Sequence, residues 1–467
     1  MTTETLTAVA EQAAHQVSNT TTLIFAGLLV LMIVCLALEE KIHAKKSVIV
    51  ALIAVIALLM GGFMHILPFG DVIIPGGQHI EMPVYIPEVD WGVIAIIVGS
   101  SLFVEVTSKS GLFTWIAVKL TKASQGEPVK LLWYYGIMTV VFSAVLNNVT
   151  AMIIIGSLTG VSLKKLNRMD KLLGFLLIEA LLTNIGGLLT LISSVPNIII
   201  GNTAGITFAA FFIKAAPYVV ITTGVTIFMG AKLFGIKKLG SEEERTEALS
   251  LVGSFDENDG IESKRFFYFA SFMLLAFIGV IATTSILPTV SDLGMGFVAL
   301  AFAVVMLACY KSEVDQFYKA IDWDLIIFFM SLFVVIAVME HAQVLNLIGK
   351  GITFIIGTEE SQYGTGMLLA VSAAISSVTD NIPLAAMLAK ILQANGTAAD
   401  SPLWWSVIFG ANLGGNLTPI GSASTLVAVT IMHKYKLPMS FLGFIKKALP
   451  FAAVHIALAI GYVLIVG

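Results

Sequence analysis

An aspartate and an asparagine stand side by side at Asp380 and Asn381, inside the apolar stretch Ser-Ser-Val-Thr-Asp-Asn-Ile-Pro over 376–383. A charge at bilayer depth costs about 2.5–3.5 kcal/mol on insertion scales, so it marks binding or transfer, not packing. The same pattern occurs earlier in neutral form, as Leu-Asn-Asn-Val-Thr-Ala over 146–151, which pairs Asn147 with Asp380 and Asn148 with Asn381. A second pattern also occurs twice. Asn184-Ile-Gly-Gly leads to Thr190 and Ser193-Ser194-Val-Pro-Asn, and Asn412-Leu-Gly-Gly-Asn416 leads to Thr418 and Ser422-Ala-Ser424. Asparagine, serine and threonine oxygens, unwound carbonyls and one carboxylate are what a hard cation such as sodium takes as ligands. The candidate ligands are Asp380, Asn381, Thr379, Asn147, Asn148, Thr150, Ser193, Ser194, Ser422 and Ser424, supported by Asn184, Asn412, Asn416 and Thr418. No Cys or His lies near either tip in the sequence, so soft metals are not expected.

Two further acids are candidate proton carriers. Glu179 lies a little over one helical turn before Asn184, and its repeat position is Val407, so the repeat does not account for it. Glu105 closes an apolar run and stands at i,i+4 spacing from Lys109, where an ion pair is the plainer expectation. A carboxylate in a low-dielectric site is one for which proton and metal ion compete. The three arginines, Arg168, Arg245 and Arg265, all fall in or beside polar loops, which leaves no strong partner for a dianion at depth.

The elements that must position these groups follow from composition and charge. Of 467 residues, 57% are hydrophobic and 12% charged, with mean hydropathy +0.94. Soluble domains carry about 25% charged residues. The chain is expected to be an all-α polytopic membrane protein of about ten spans, embedded in a bilayer and without affinity for nucleic acid. After a polar tail over 1–20, the basic loops place the segment ends by the positive-inside rule. Both ends of 131–163 are basic, so this segment enters and leaves the cytoplasmic face as a re-entrant hairpin with Asn147-Asn148 at its tip. A helix over 171–200, interrupted by Gly186, Gly187 and Pro196, follows it. Residues 237–264 form a polar cytoplasmic linker between a first repeat over 21–236 and a second over 265–467. The second repeat has its own hairpin over 361–399, with acidic ends and Asp380-Asn381 at the tip, and a broken helix over 402–432. The charges give the two repeats opposite orientations and put both termini outside. Inverted repeats with interrupted helices at the midplane characterise secondary transporters.

With these motifs the chain resembles the NhaD-type sodium/proton antiporters of the ion transporter superfamily, from about residue 20 to its end. The Asn-Asn-Val-Thr tip, the Thr-Asp-Asn-Ile-Pro tip and the paired Asn-x-Gly-Gly breaks carry the resemblance. It implies exchange of sodium or lithium for protons with no resident cofactor, a homodimer in a bacterial inner membrane, and elevator-like movement. Related anion/sodium symporters have a neutral Ser-Asn-Thr at both tips; here Asp380 replaces the serine of the second. A sodium-coupled carrier of dicarboxylates or oxyanions is the alternative within the superfamily, and a passive pore the alternative outside it. An enzyme is not expected, since the spans hold no nucleophile–base set.

Overall fold

The computed structural model describes residues 17–68, 70–74, 78–83, 85–146, 148–309, 313–357, 361–379 and 381–466. Asn147 and Asp380 lie outside the described residues. The helices are α1 Asn19–Ala37, α2 Glu39–Ile42, α3 Lys46–Phe63, α4 Trp91–Ser108, α5 Leu112–Ser124, α6 Pro128–Val145, α7 Asn148–Lys165, α8 Leu172–Gly186, α9 Val195–Ala204 and α10 Phe208–Leu233. After them come α11 Glu242–Gly253, α12 Lys264–Thr283, α13 Val290–Cys309, α14 Val314–Ala320, α15 Trp323–His341, α16 Val344–Ile356, α17 Gln362–Ser376, α18 Asn381–Ala394, α19 Pro402–Gly414, α20 Ala423–Lys434 and α21 Phe441–Val466. An antiparallel pair, β1 Gly70–Ile74 and β2 Gln78–Met82, lies in the connection between α3 and α4.

Nine of the described helices are long and apolar enough to cross a membrane. One of them, α6, is the first arm of a hairpin. The other eight, with the interrupted pairs α8/α9 and α19/α20, give the ten spans expected.

The chain divides into two compact units, Met1–Ile94 with Asp322–Ile355, and Ala95–Ile321 with Ile356–Gly467. In the first, α15 packs along α3, and Ser47 on α3 donates a hydrogen bond to Asp324 on α15. His341 stands 4.0 Å from Glu88 in the same unit, next to Glu340.

The second unit contains both hairpins and both breaks. Each break follows from its sequence. Helix α8 ends at the Gly186-Gly187 pair, and α9 restarts at Val195 with Pro196 in its first turn, where a missing N–H costs nothing. Helix α19 ends at Gly414-Gly415, and Ser422 caps the restart at α20. In α8 every residue from Gly174 to Gly186 is buried, and in α19 every residue from Leu403 to Gly414. Helices apolar on every face belong in the centre of a bundle.

The packing repeats as the sequence does. Helix α6 lies on α8 and α7 on α8; in the second half α17 lies on α19 and α18 on α19. The halves also interlock: α9 packs on α18, and α20 on α7. This reciprocity is what a two-fold relation between the halves requires.

The linker carries a helix of its own. Helix α11 packs on α5. Beyond it, Glu257 accepts from Lys119 at 2.9 Å and also pairs with Lys122. These two hydrogen bonds, that of Lys122 foremost, hold the Glu257 carboxyl down at about 2, against an ordinary value of 4.5. A depressed carboxyl stabilises the folded state above its ordinary value and loses that contribution as pH falls through the folded one. The clamp is therefore complete at neutral pH and fades between about pH 4.5 and 2. Lys119 is exposed and Lys122 partly so, and screening keeps the contribution of the pair modest. Glu257→Gln should speed amide exchange across 242–253 at neutral pH, whereas the wild type should lose that protection only in acid.

Candidate functional site

Each hairpin is fastened to the break of its own half by equivalent bonds. Ser143 Oγ donates to the Thr183 carbonyl at 2.6 Å, and its counterpart Ser376 to the Ala411 carbonyl at 2.6 Å. Thr190 Oγ1 donates to the Ala144 carbonyl at 2.5 Å, and Thr418 Oγ1 to the Ser377 carbonyl at 2.5 Å. Ala144 and Ser377 are each three residues before a tip position, Asn147 and Asp380. The breaks and the tips are thus drawn to one depth. The glycines permit it: a Cβ on Gly186 would lie 2.7 Å from the Val140 carbonyl oxygen, and one on Gly414 closer still to that of Ala373.

A second set of bonds joins the halves. Ser422 and Ser424 donate to Asn184 Oδ1 at 2.9 and 3.1 Å, and Ser194 donates to Asn412 Oδ1 at 2.7 Å. Each of these three serines reaches the asparagine of the opposite half. Asn184 Nδ2 donates to Asn416 Oδ1 at 2.9 Å, and Asn412 Nδ2 to Asn197 Oδ1 at 2.9 Å. All of these residues are buried. Asn184 Oδ1 also accepts from Asn148 Nδ2 at 3.4 Å, so its lone pairs are spent on protein donors. Asn184 and Asn412 are therefore ties between the halves.

The network continues to a residue the sequence reading passed over. Asn416 Nδ2 lies 3.3 Å from His455 Nδ1 on α21, and His455 Nε2 lies 2.8 Å from Thr226 Oγ1 on α10. Thr226 spends its own hydrogen on the Thr222 carbonyl at 2.6 Å, so His455 Nε2 must carry a hydrogen and Nδ1 accept one. His455 is fully buried and bonded to the second break. It sits alone in an apolar span, where spacing gives no signal. Asn197 stood inside a motif already singled out, and its pairing with Asn412 shows only in three dimensions.

The other candidates fall into place unevenly. Ser193 donates to the Gly187 and Thr190 carbonyls at 2.7 and 2.8 Å and shapes its break. Thr379 returns its hydroxyl to the Ile375 carbonyl at 2.8 Å. Asn381 and Thr150 are half-buried in the first turns of α18 and α7. Glu105 is half-buried on α4 and, among the described residues, makes no ion pair with Lys109. Glu179 is fully buried: Thr159 donates to its Oε1 at 2.6 Å, and Oε2 has no hydrogen-bond partner. Among the described residues no lysine or arginine is buried, and Glu179 is the one buried acid. Among the described residues, the two breaks and the flanks of the tips present a neutral array of amides, hydroxyls and carbonyls.

Comparison with known proteins places this architecture. The family model described as citrate transporter, CitMHS, matches residues 29–410. An uncharacterized transporter of Mycobacterium tuberculosis is 30% identical over 380 residues, covering 80% of this chain and 86% of that protein. A 46 kDa membrane protein of Mycobacterium leprae is 29% identical over 379 residues, 79% of this chain and 85% of its own length. The human P protein is 24% identical over 456 residues, 81% of this chain but 54% of that protein. Among solved structures, the YdaH transporter of Alcanivorax borkumensis superposes with a TM-score of 0.53 at 12% identity, covering 90% of this chain and 98% of that one, a likeness of fold alone.

Proposed function

The chain belongs to the citrate transporter family CitMHS, and on that footing we propose that this multi-pass membrane protein exchanges sodium, or lithium, for protons by alternating access. The observation that carries the reading is the charge of the buried site. Neutral oxygen donors surround the two breaks, the described core holds no lysine or arginine, and Asp380 is the acid in the tip sequence. A citrate-like trianion placed there would find no cationic side chain among the buried residues. A sodium ion would find the oxygen ligands it needs, and a proton would satisfy the same carboxyl when sodium leaves. The proposal places Asp380 as the alternating carboxylate, with Asn381, Asn148 and the tip backbone completing the shell. It extends to NhaD-type activity, a homodimer with elevator-like movement, an inner-membrane location and both termini outside.

A second reading rests on a specific feature. Helices α7, α9, α18 and α20 all begin at the tips or breaks, and helix N-termini carry partial positive charge that attracts anions. The family description points the same way. Proteoliposomes with an acidic lumen separate the two. Saturable uptake of labelled sodium, driven by the outward proton gradient with no organic anion present, is the expected result. Sodium uptake that requires citrate or an oxyanion would establish the symport reading instead.

A further inference from the structure

We propose that Glu179 with Thr159 forms a second proton-binding site, separate from the cation site at the tips, so that each sodium is exchanged for more than the proton held by Asp380. This rests on the exchange reading above. The repeat sets this pair apart. The offsets that pair Asn184 with Asn412 and Asn148 with Asn381 pair Glu179 with Val407 and Thr159 with Leu392. Both of those counterparts are buried. The same helix crossing, α7 on α8 in one half and α18 on α19 in the other, is thus filled by a leucine–valine pair in the second half and by a threonine–glutamate pair in the first. Packing alone does not call for a carboxyl. Burying one against the transfer cost, with one oxygen bonded and the other without a partner, demands that something bind there. A proton on Oε2 neutralises the group without needing space for a hydrated ion.

The surroundings of Glu179 agree. Tyr135 on α6 is within electrostatic reach of the carboxyl, and its hydroxyl lies 2.7 Å from both Ser162 on α7 and Thr121 on α5. Its repeat counterpart is the apolar Leu368. Tyr135, Thr159 and Glu179 thus all have apolar counterparts in the second half, and the cluster leads toward α5, the helix that carries Lys119 and Lys122. The bases on the helices packed against α8 stand toward helix ends, Lys130 in the first turn of α6, Lys164 and Lys165 in the last turn of α7, Lys214 and Lys232 toward the two ends of α10, and His433 and Lys434 in the last turn of α20, with Lys171 at the start of α8 itself, and none bonds to Glu179. The carboxyl has no fixed countercharge, so a mobile proton is the charge that meets it.

The test is the proton-to-sodium ratio of the full-length protein in proteoliposomes, from labelled sodium uptake and an entrapped pH reporter on one sample. Glu179→Gln should lower that ratio by about half while sodium/sodium exchange continues, since intramembrane acids act as relay groups one proton at a time. A merely structural role would slow both fluxes and leave their ratio alone, and an unchanged ratio overturns the proposal. If the wild type moves sodium with no protons at all, the exchange reading falls first. Thr159→Leu with Glu179→Val copies the pair the second half already packs, so it should fold and show the same lowered ratio. Failure of both variants to assemble would mean the carboxyl serves folding, which also overturns the proposal.

Discussion

Asp380→Asn is expected to lower sodium-driven proton movement by about a hundredfold or more while leaving the protein folded. Removing one partner of a desolvated charge pair costs about 2–5 kcal/mol, and each 1.4 kcal/mol is tenfold. The fold should tolerate the change because the first half carries an asparagine at the equivalent position, Asn147, in a hairpin fastened by the same serine and threonine bonds. Thermal unfolding in detergent should therefore match the wild type. Asp380→Glu keeps the charge on a longer arm and should retain part of the flux. The pair of variants separates charge from geometry at the tip.

Gly414→Val is expected to have the largest effect on stability. The Cβ of any side chain there would press on the Ala373 carbonyl, which belongs to backbone and has no rotamer to yield. Helix α19 must then separate from α17, and overpacking of that kind costs about 1–3 kcal/mol or more. It also parts Ser376 from the Ala411 carbonyl and Thr418 from the Ser377 carbonyl, the bonds that hold the second tip to the break. Loss of monodisperse protein on size exclusion, with transport falling in proportion, is the expected outcome. Gly279→Ala is the matched control: nothing lies within 4 Å of a Cβ there, so the unfolding temperature should hold or rise.

The long-range order of the site was legible because the chain says it twice. Asn184 with Asn412 and Ser194 with Ser422 could be paired on paper, and the two-fold packing follows once both halves are read as one plan. What the pairing could not tell was that each serine crosses to the other half's asparagine. Sequence spacing reports neighbours along a chain, and these bonds span more than two hundred residues. His455 escaped for a related reason: a single polar residue in an apolar span carries no periodicity, and its partners Asn416 and Thr226 come from distant helices. The ion pair expected between Glu105 and Lys109 had the correct helical spacing but is not formed among the described residues. The β1/β2 hairpin gives little signal in the sequence: Val72, Ile73 and Ile74 are consecutive with no alternation, and only Ile80 and Met82 alternate with polar residues.

The most direct test is whether sodium and a proton occupy Asp380 in turn. A hydrophobic carbodiimide reacts with a protonated carboxyl, and the modified residue is read by mass spectrometry of the purified, reconstituted protein. Rising sodium should protect Asp380 from labelling in a saturable way, lithium should substitute for it, and lower pH should shift the protection to higher sodium. Labelling of Asp380 that is indifferent to sodium at every pH would contradict the account.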